Sequence, residues 1–163
     1  MRTTDQAGSS AAYPALRGWC NSAKLGKSIR GQVEIAYLAS GGAVLTLQGG
    51  PVAALFDLGK IEVTEAAIRS LDTVGQSIWP FLLRHVRGDW GVYGRMGEGR
   101  VTGSAFTNGR FGPRHVTTKN QAAVMRNDGR VVSDYGLGNG KRVWVITHLG
   151  SGGYTAFLTP ADS

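Results

Sequence analysis

Twenty-five glycines are spread through these 163 residues, and this punctuation constrains the fold more than any other feature. Glycine costs backbone entropy inside helices and strands and collects where the chain turns sharply. So many breaks argue against a helical bundle and predict short strands, tight turns and brief helices. A hydrophobic fraction of 42 %, with four Trp, five Tyr and five Phe, is enough for the core of one ordinary domain.

Several classes are set aside at once. Cys20 is the single cysteine, so neither an intrachain disulfide nor a multi-cysteine zinc site can form, and a lone thiol fits a reducing cytoplasm. No apolar run approaches the roughly 18–20 residues that span a bilayer. The chain starts Met-Arg-Thr-Thr-Asp-Gln and continues in Ala, Gly and Ser without a compact apolar signal core. The expectation is a flexible leader over 1–18, no membrane partner and a cytoplasmic protein. His85, His115 and His148 are too scattered for a metal site. Gly97-Glu98-Gly99 and Gly136-Leu137-Gly138-Asn139-Gly140 lack the strand–loop–helix setting of a dinucleotide site. No cofactor is expected.

Periodicity and capping place the elements. Val33, Ile35 and Tyr37 alternate with Glu34 and Ala36, then Ser40-Gly41-Gly42 turns the chain, predicting a hairpin over 31–47. Residues 55–63 read as a strand kinked at Gly59. Thr64 caps a helix from Glu65 to Asp72. A second helix starts at Ser77, with Pro80 in its first turn and Ile78, Phe81, Leu82 and Val86 on its apolar face. Arg84, His85 and Arg87 crowd its last turn, where cations suit the dipole, and Gly88 ends it. Thr118 and Gln121 have capping-box spacing for a third helix whose apolar surface is Ala122, Val124 and Met125. Strands follow over 130–135, 141–147 and 154–158, separated by the Asn139-Gly140 turn and by Gly150-Ser151-Gly152-Gly153. The expected fold class is α+β: an antiparallel sheet, with the strands after 130 at its heart, two or three short helices and a glycine-rich loop insertion over 92–118.

The net charge of +7 favours polyanionic partners. Residues 92–120 carry Arg95, Arg100, Arg110, Arg114 and Lys119 against Glu98 alone. Tyr93, Phe106 and Phe111 interleave with these arginines. Arginine neutralises phosphate and aromatic rings stack on bases, so the segment, with Arg84 and Arg87, is a candidate surface for nucleic acid or for an acidic host protein. The plainer reading is an exposed hairpin with solvated charges.

The run Arg84-His85-Val86-Arg87-Gly88-Asp89-Trp90 sets an imidazole, two guanidiniums and a carboxylate at one helix end. As a catalytic group, His85 would be acid or base, Arg87 would stabilise developing charge, and Asp89 would complete the set, with partners drawn from Ser133, Tyr135, Thr147 and His148. The structural reading is that His85 and the arginines cap the helix while Trp90 packs.

One pattern runs through residues 55–160. Phe56 and Gly59 are followed by Leu82, His85 and Gly88-Asp89-Trp90-Gly91; Asn120 and Ala123 come next, then Ser133 and Tyr135, Trp144, Ile146 and Thr147, and Thr155, Leu158 and Pro160. This order resembles a family of small uncharacterised proteins carried on bacterial plasmids and integrative elements. Residues 92–118 have no counterpart in that pattern, and the first fifty or so are peculiar to this chain. The resemblance implies a mobile-element origin and no particular reaction. The expected function is a basic accessory protein that binds nucleic acid or a host defence complex without catalysis, in the manner of anti-CRISPR or anti-restriction proteins. The alternative is a small toxin-like ribonuclease built on His85, Arg87 and Asp89.

Overall fold

The structure is a computed structural model and describes residues 32–51, 53–97 and 113–163. The leader over 1–18, Cys20 and residues 98–112 of the insertion lie outside the described residues.

Alternation produces the first hairpin as expected, with β1 (Gln32–Tyr37) antiparallel to β2 (Ala43–Gln48) and Ile35 opposite Leu45. Gly41 turns it at φ +84. The strand expected over 55–63 shrinks to β3 (Lys60–Val63). Gly59 is the reason: its φ is +59, and a Cβ there would stand 2.1 Å from the Gly153 carbonyl oxygen. The chain bends at that contact and carries Phe56 and Leu58 into the core.

Helix α1 (Glu65–Thr73) begins at Thr64, whose Oγ1 accepts the Ala67 N–H at 3.2 Å. Helix α2 (Trp79–Val86) carries Pro80 in its first turn, where no N–H is needed. Helix α3 (Pro113–Arg126) starts five residues before the expected cap. Pro113 takes the first helical position, so Thr118 lies mid-helix and not at the helix N-terminus. The packed side of α3 is also different. Thr117, Asn120 and Ala123 are buried at three-residue spacing, while Met125 is 80 % exposed.

The closing strands are β4 (Gly129–Gly136), β5 (Arg142–Leu149) and β6 (Tyr154–Leu158), followed by a 3₁₀ turn at Pro160–Asp162. Among the described residues the sheet has six strands in the order β1-β2-β3-β6-β5-β4. The α+β class holds and the pairing is mostly antiparallel, but β3 and β6 run parallel. The strands after 130 therefore form one half of the sheet. β6 is central and β4 is at the edge.

The two faces differ. On one, a row runs Ile35, Leu45, Ile61, Thr155, Thr147 and Val131 from strand to strand, and α1 and α2 bury it. The opposite face carries Lys60, Tyr154, His148 and Arg130 in one row and Glu62, Ala156, Ile146 and Val132 in the next. Helix α3 stands at its β4 margin. There the Asn120 amide accepts the Val132 N–H at 2.9 Å and donates to the Val132 carbonyl at 2.7 Å. Asp134, one pair along, donates its N–H to the Trp90 carbonyl, and its own carbonyl accepts the Val92 N–H at 3.0 Å. Both devices occupy backbone groups that an edge strand would otherwise leave open to another chain. No helix among the described residues is long and apolar enough to cross a membrane.

Candidate functional site

The C-terminal end of α2 sends its polar residues in two directions. Ile78, Phe81, Leu82 and His85 follow i, i+3, i+4, i+7 spacing and form one buried stripe. His85 therefore extends the apolar face and does not act as a solvated cation at the helix end. Arg84 and Arg87 lie on the opposite side and are exposed.

The His85 ring is 0 % exposed and sits edge-on to Phe56, with centroids 5.2 Å apart. Its Nδ1 is 2.6 Å from Ser133 Oγ and its Nε2 is 2.9 Å from Thr147 Oγ1. Thr147 continues to Thr155 Oγ1 at 2.8 Å, and Thr155 to the Leu58 carbonyl oxygen at 2.7 Å. The proton order along this chain follows from its far end. A carbonyl only accepts, so Thr155 donates to Leu58. Thr147 must then donate to Thr155, His85 Nε2–H to Thr147, and Ser133 to the bare Nδ1. The imidazole is thereby the neutral Nε2–H tautomer. Burial pushes its pKa down to about 3, which agrees with a ring that never carries charge at neutral pH.

Ser133, Thr147 and Thr155 are each 0 % exposed. A hydroxyl held by an imidazole is the geometry of an activated nucleophile, but here the pair is enclosed by α2, β4, β5 and β6. What it does in this position is join α2 to three strands and to the bend at Leu58. His148, weighed as a further partner, faces away: strand alternation puts it on the other side of β5 from Thr147, stacked on Tyr154.

The Gly88-Asp89-Trp90-Gly91 segment is a turn built around Asp89. Arg84 grips its carboxylate with a fork, Nε to Oδ2 at 2.8 Å and Nη2 to Oδ1 at 3.2 Å. Arg95 approaches at 3.7 Å, and the Gly91 N–H donates to Oδ1 at 3.2 Å. Partial burial pushes Asp89 up, but the Arg84 fork, the Gly91 N–H and the two guanidinium charges outweigh it and hold the carboxyl below its usual range. Tyr135 supports the turn from beneath. Its hydroxyl donates to the Asp89 carbonyl at 2.6 Å, and the Arg84 guanidinium lies 4.6 Å from its ring centroid. Trp90 is fully buried.

Arg84, Arg87 and Arg95 line one open cleft of about 510 Å³, with Asp89 its single carboxylate among the described residues and Leu83 and Met96 its apolar floor. The structure thus brings together three of the arginines singled out from sequence. It does not bring His85 to Arg87 and Asp89: the imidazole faces the sheet while the other two face solvent. Tyr93 lies elsewhere, half-buried over Asp134 and Arg142, with its phenol pushed up by burial. Arg114 falls in the first turn of α3. Arg100, Phe106, Arg110 and Phe111 lie outside the described residues. Sequence reasoning named Trp144 and Ile146 only within the family pattern and gave no functional role to them, to Tyr154 or to Arg130, which share the open sheet face. The signal was available: Trp144, Ile146 and His148 alternate with Val143, Val145 and Thr147 along β5. Comparison with protein-family models, curated proteins and solved structures finds no match for this chain.

Proposed function

We propose that this chain is a basic, non-catalytic accessory protein of a mobile element that binds nucleic acid in a cytoplasmic setting. The observation that carries the reading is the cleft at the end of α2, where three guanidiniums meet one carboxylate. Arg84 is committed to Asp89, so Arg87 is the exposed cation best placed to meet a phosphate. The chain passes from Arg95 directly into the segment that carries Arg100, Arg110 and Arg114, so the positive surface has a continuation in sequence. The net charge of +7 adds long-range attraction. The enclosure of His85 favours binding over cleavage, since a ribonuclease reading needs that imidazole at a substrate.

The test is to incubate the protein with labelled single- and double-stranded RNA and DNA at two salt concentrations, read for mobility shift and for cleavage. A shift without cleavage that weakens steeply with salt is expected. Absence of a shift at low salt overturns the reading and directs attention to an acidic host protein. Cleavage by wild type that is lost in a His85→Gln variant shown by circular dichroism to be folded overturns it in favour of the ribonuclease.

A further inference from the structure

The open face of the sheet has a composition that the cleft does not explain. On β5, Trp144, Ile146 and His148 project to this side, where their neighbours on β4 are Asp134, Val132 and Arg130. Helix α3 rises beside Val132, and the space between helix and sheet is a groove of about 650 Å³. Trp144 and Ile146 form its floor, Tyr93 lies at one end, and Lys119, Arg126 and Arg130 stand around it against Asp128. None of those three cations makes an ion pair among the described residues. The Asn120 amide on Val132 keeps the wall of the groove in register with its floor.

One step along β5 the next row reads Arg130, His148, Tyr154 and Lys60 across four strands. The His148 and Tyr154 rings are stacked, with centroids 4.6 Å apart and planes 11° from parallel. Tyr154 is exposed. Trp144 and His148 are four residues apart on one strand, which separates the two aromatic stations by about 13 Å. The face changes sign at Glu62, next along β3, and at Glu34 on β1, so the positive, aromatic half comprises β4, β5, β6 and the Lys60 end of β3.

Resting on the nucleic-acid reading above, we infer that this half-face is a platform for single-stranded nucleic acid. One base enters the groove over Trp144 and another stacks on the Tyr154–His148 pair. The phosphates between them are met by Lys119, Arg126 and Arg130, and Lys60 receives the strand where it leaves. A duplex does not fit this chemistry because its bases are already stacked and paired, while unpaired bases offer free π-faces. Glu62 and Glu34 repel a backbone that strays toward β1, which sets the path along β5.

The test uses the full chain and fluorescence anisotropy with labelled single-stranded dT and rU oligomers, a duplex of equal length and unlabelled mononucleotide as competitor. Wild type should bind single strands in preference to duplex. His148→Ala/Tyr154→Ala should weaken single-strand binding tenfold or more, while duplex binding moves far less. Arg130→Glu, at an exposed position that leaves the core untouched, should weaken it by a similar factor and reduce its salt dependence. Trp fluorescence should be quenched on binding, and Trp144→Phe should remove that quench. Wild-type binding that survives both variants overturns the platform and leaves the cleft as the site. No binding by wild type overturns the nucleic-acid reading itself. Competition by mononucleotide as strong as by oligomer overturns the strand path in favour of a single-base pocket.

Discussion

His85 donates its Nε2 proton to Thr147 Oγ1 across 2.9 Å, with both residues fully buried. The direction is imposed from the Leu58 carbonyl, two hydroxyls away. A residue that the sequence offers as a helix-end cation is therefore a neutral structural bridge.

Stability should depend on pH through this ring. The folded pKa of about 3 lies below the ordinary 6.5, so the unfolded chain takes up a proton that the folded one refuses. The His85 contribution is complete above pH 6.5 and is lost progressively from there down to about 3, by about 1.4 kcal/mol per pH unit. By pH 5 the loss is roughly 2 kcal/mol. Asp89 and Asp162, whose pKa values are lowered, lose their contributions only below the usual carboxylate range. Urea unfolding at pH 7 and pH 5 checks this, with His85→Gln expected to flatten the difference. Equal wild-type midpoints at the two pH values would refute it.

Gly91 has φ +66, and a Cβ there would stand 2.1 Å from the Asp134 carbonyl oxygen and 2.8 Å from Tyr135 Cδ1. Gly97 shares the positive φ, at +81, but a Cβ there would meet nothing within 4 Å among the described residues. Gly97→Ala should therefore cost only the backbone strain, about 1–2 kcal/mol. Gly91→Ala should cost clearly more, because backbone must move as well. Equal losses in thermal or urea unfolding would mean that the close approach to β4 does not matter.

Asn120→Ala removes the side chain that serves both backbone groups of Val132 at the sheet edge. The expected loss is about 2 kcal/mol, the scale of leaving buried polar groups unmet. The Val132 amide should exchange with solvent much faster than its neighbours on the β5 side. A Val132 amide as protected as before would show that α3 does not guard this edge.

Arg84 and Arg87 should separate cleanly. Arg84→Ala breaks the fork on Asp89 and the contact with the Tyr135 ring, at a cost of about 1 kcal/mol for a partly exposed group. Arg87→Ala should leave stability within about 0.5 kcal/mol. It should instead weaken nucleic-acid binding and lower the salt slope by close to one unit. Loss of stability with Arg87→Ala, or an unchanged slope, would remove Arg87 from the interface.

Local chemistry was legible wherever neighbours in sequence decide the outcome. Thr64 caps α1, Pro80 opens α2, the hairpin at Gly41 turns, and Asn139-Gly140 separates β4 from β5. Expectation failed where a local signal met a stronger neighbour. The Thr118 capping signal lost to Pro113, which opens α3 earlier and gives it another buried side. Dipole logic at the end of α2 lost to the stripe Ile78, Phe81, Leu82, His85, which was also present in the spacing.

The sequence by itself determined the element types, the α+β class, the turns and the concentration of positive charge. Each of these depends on steric preference, period or composition within a few residues. Only the tertiary structure decided that β3 and β6 pair in parallel, that His85 meets Ser133 and Thr147 inside the core, and that Trp144, His148, Tyr154 and Arg130 share one open face. Those relationships join residues far apart in the chain. Strand order and register choose them, and register is set by burying a whole sheet face at once.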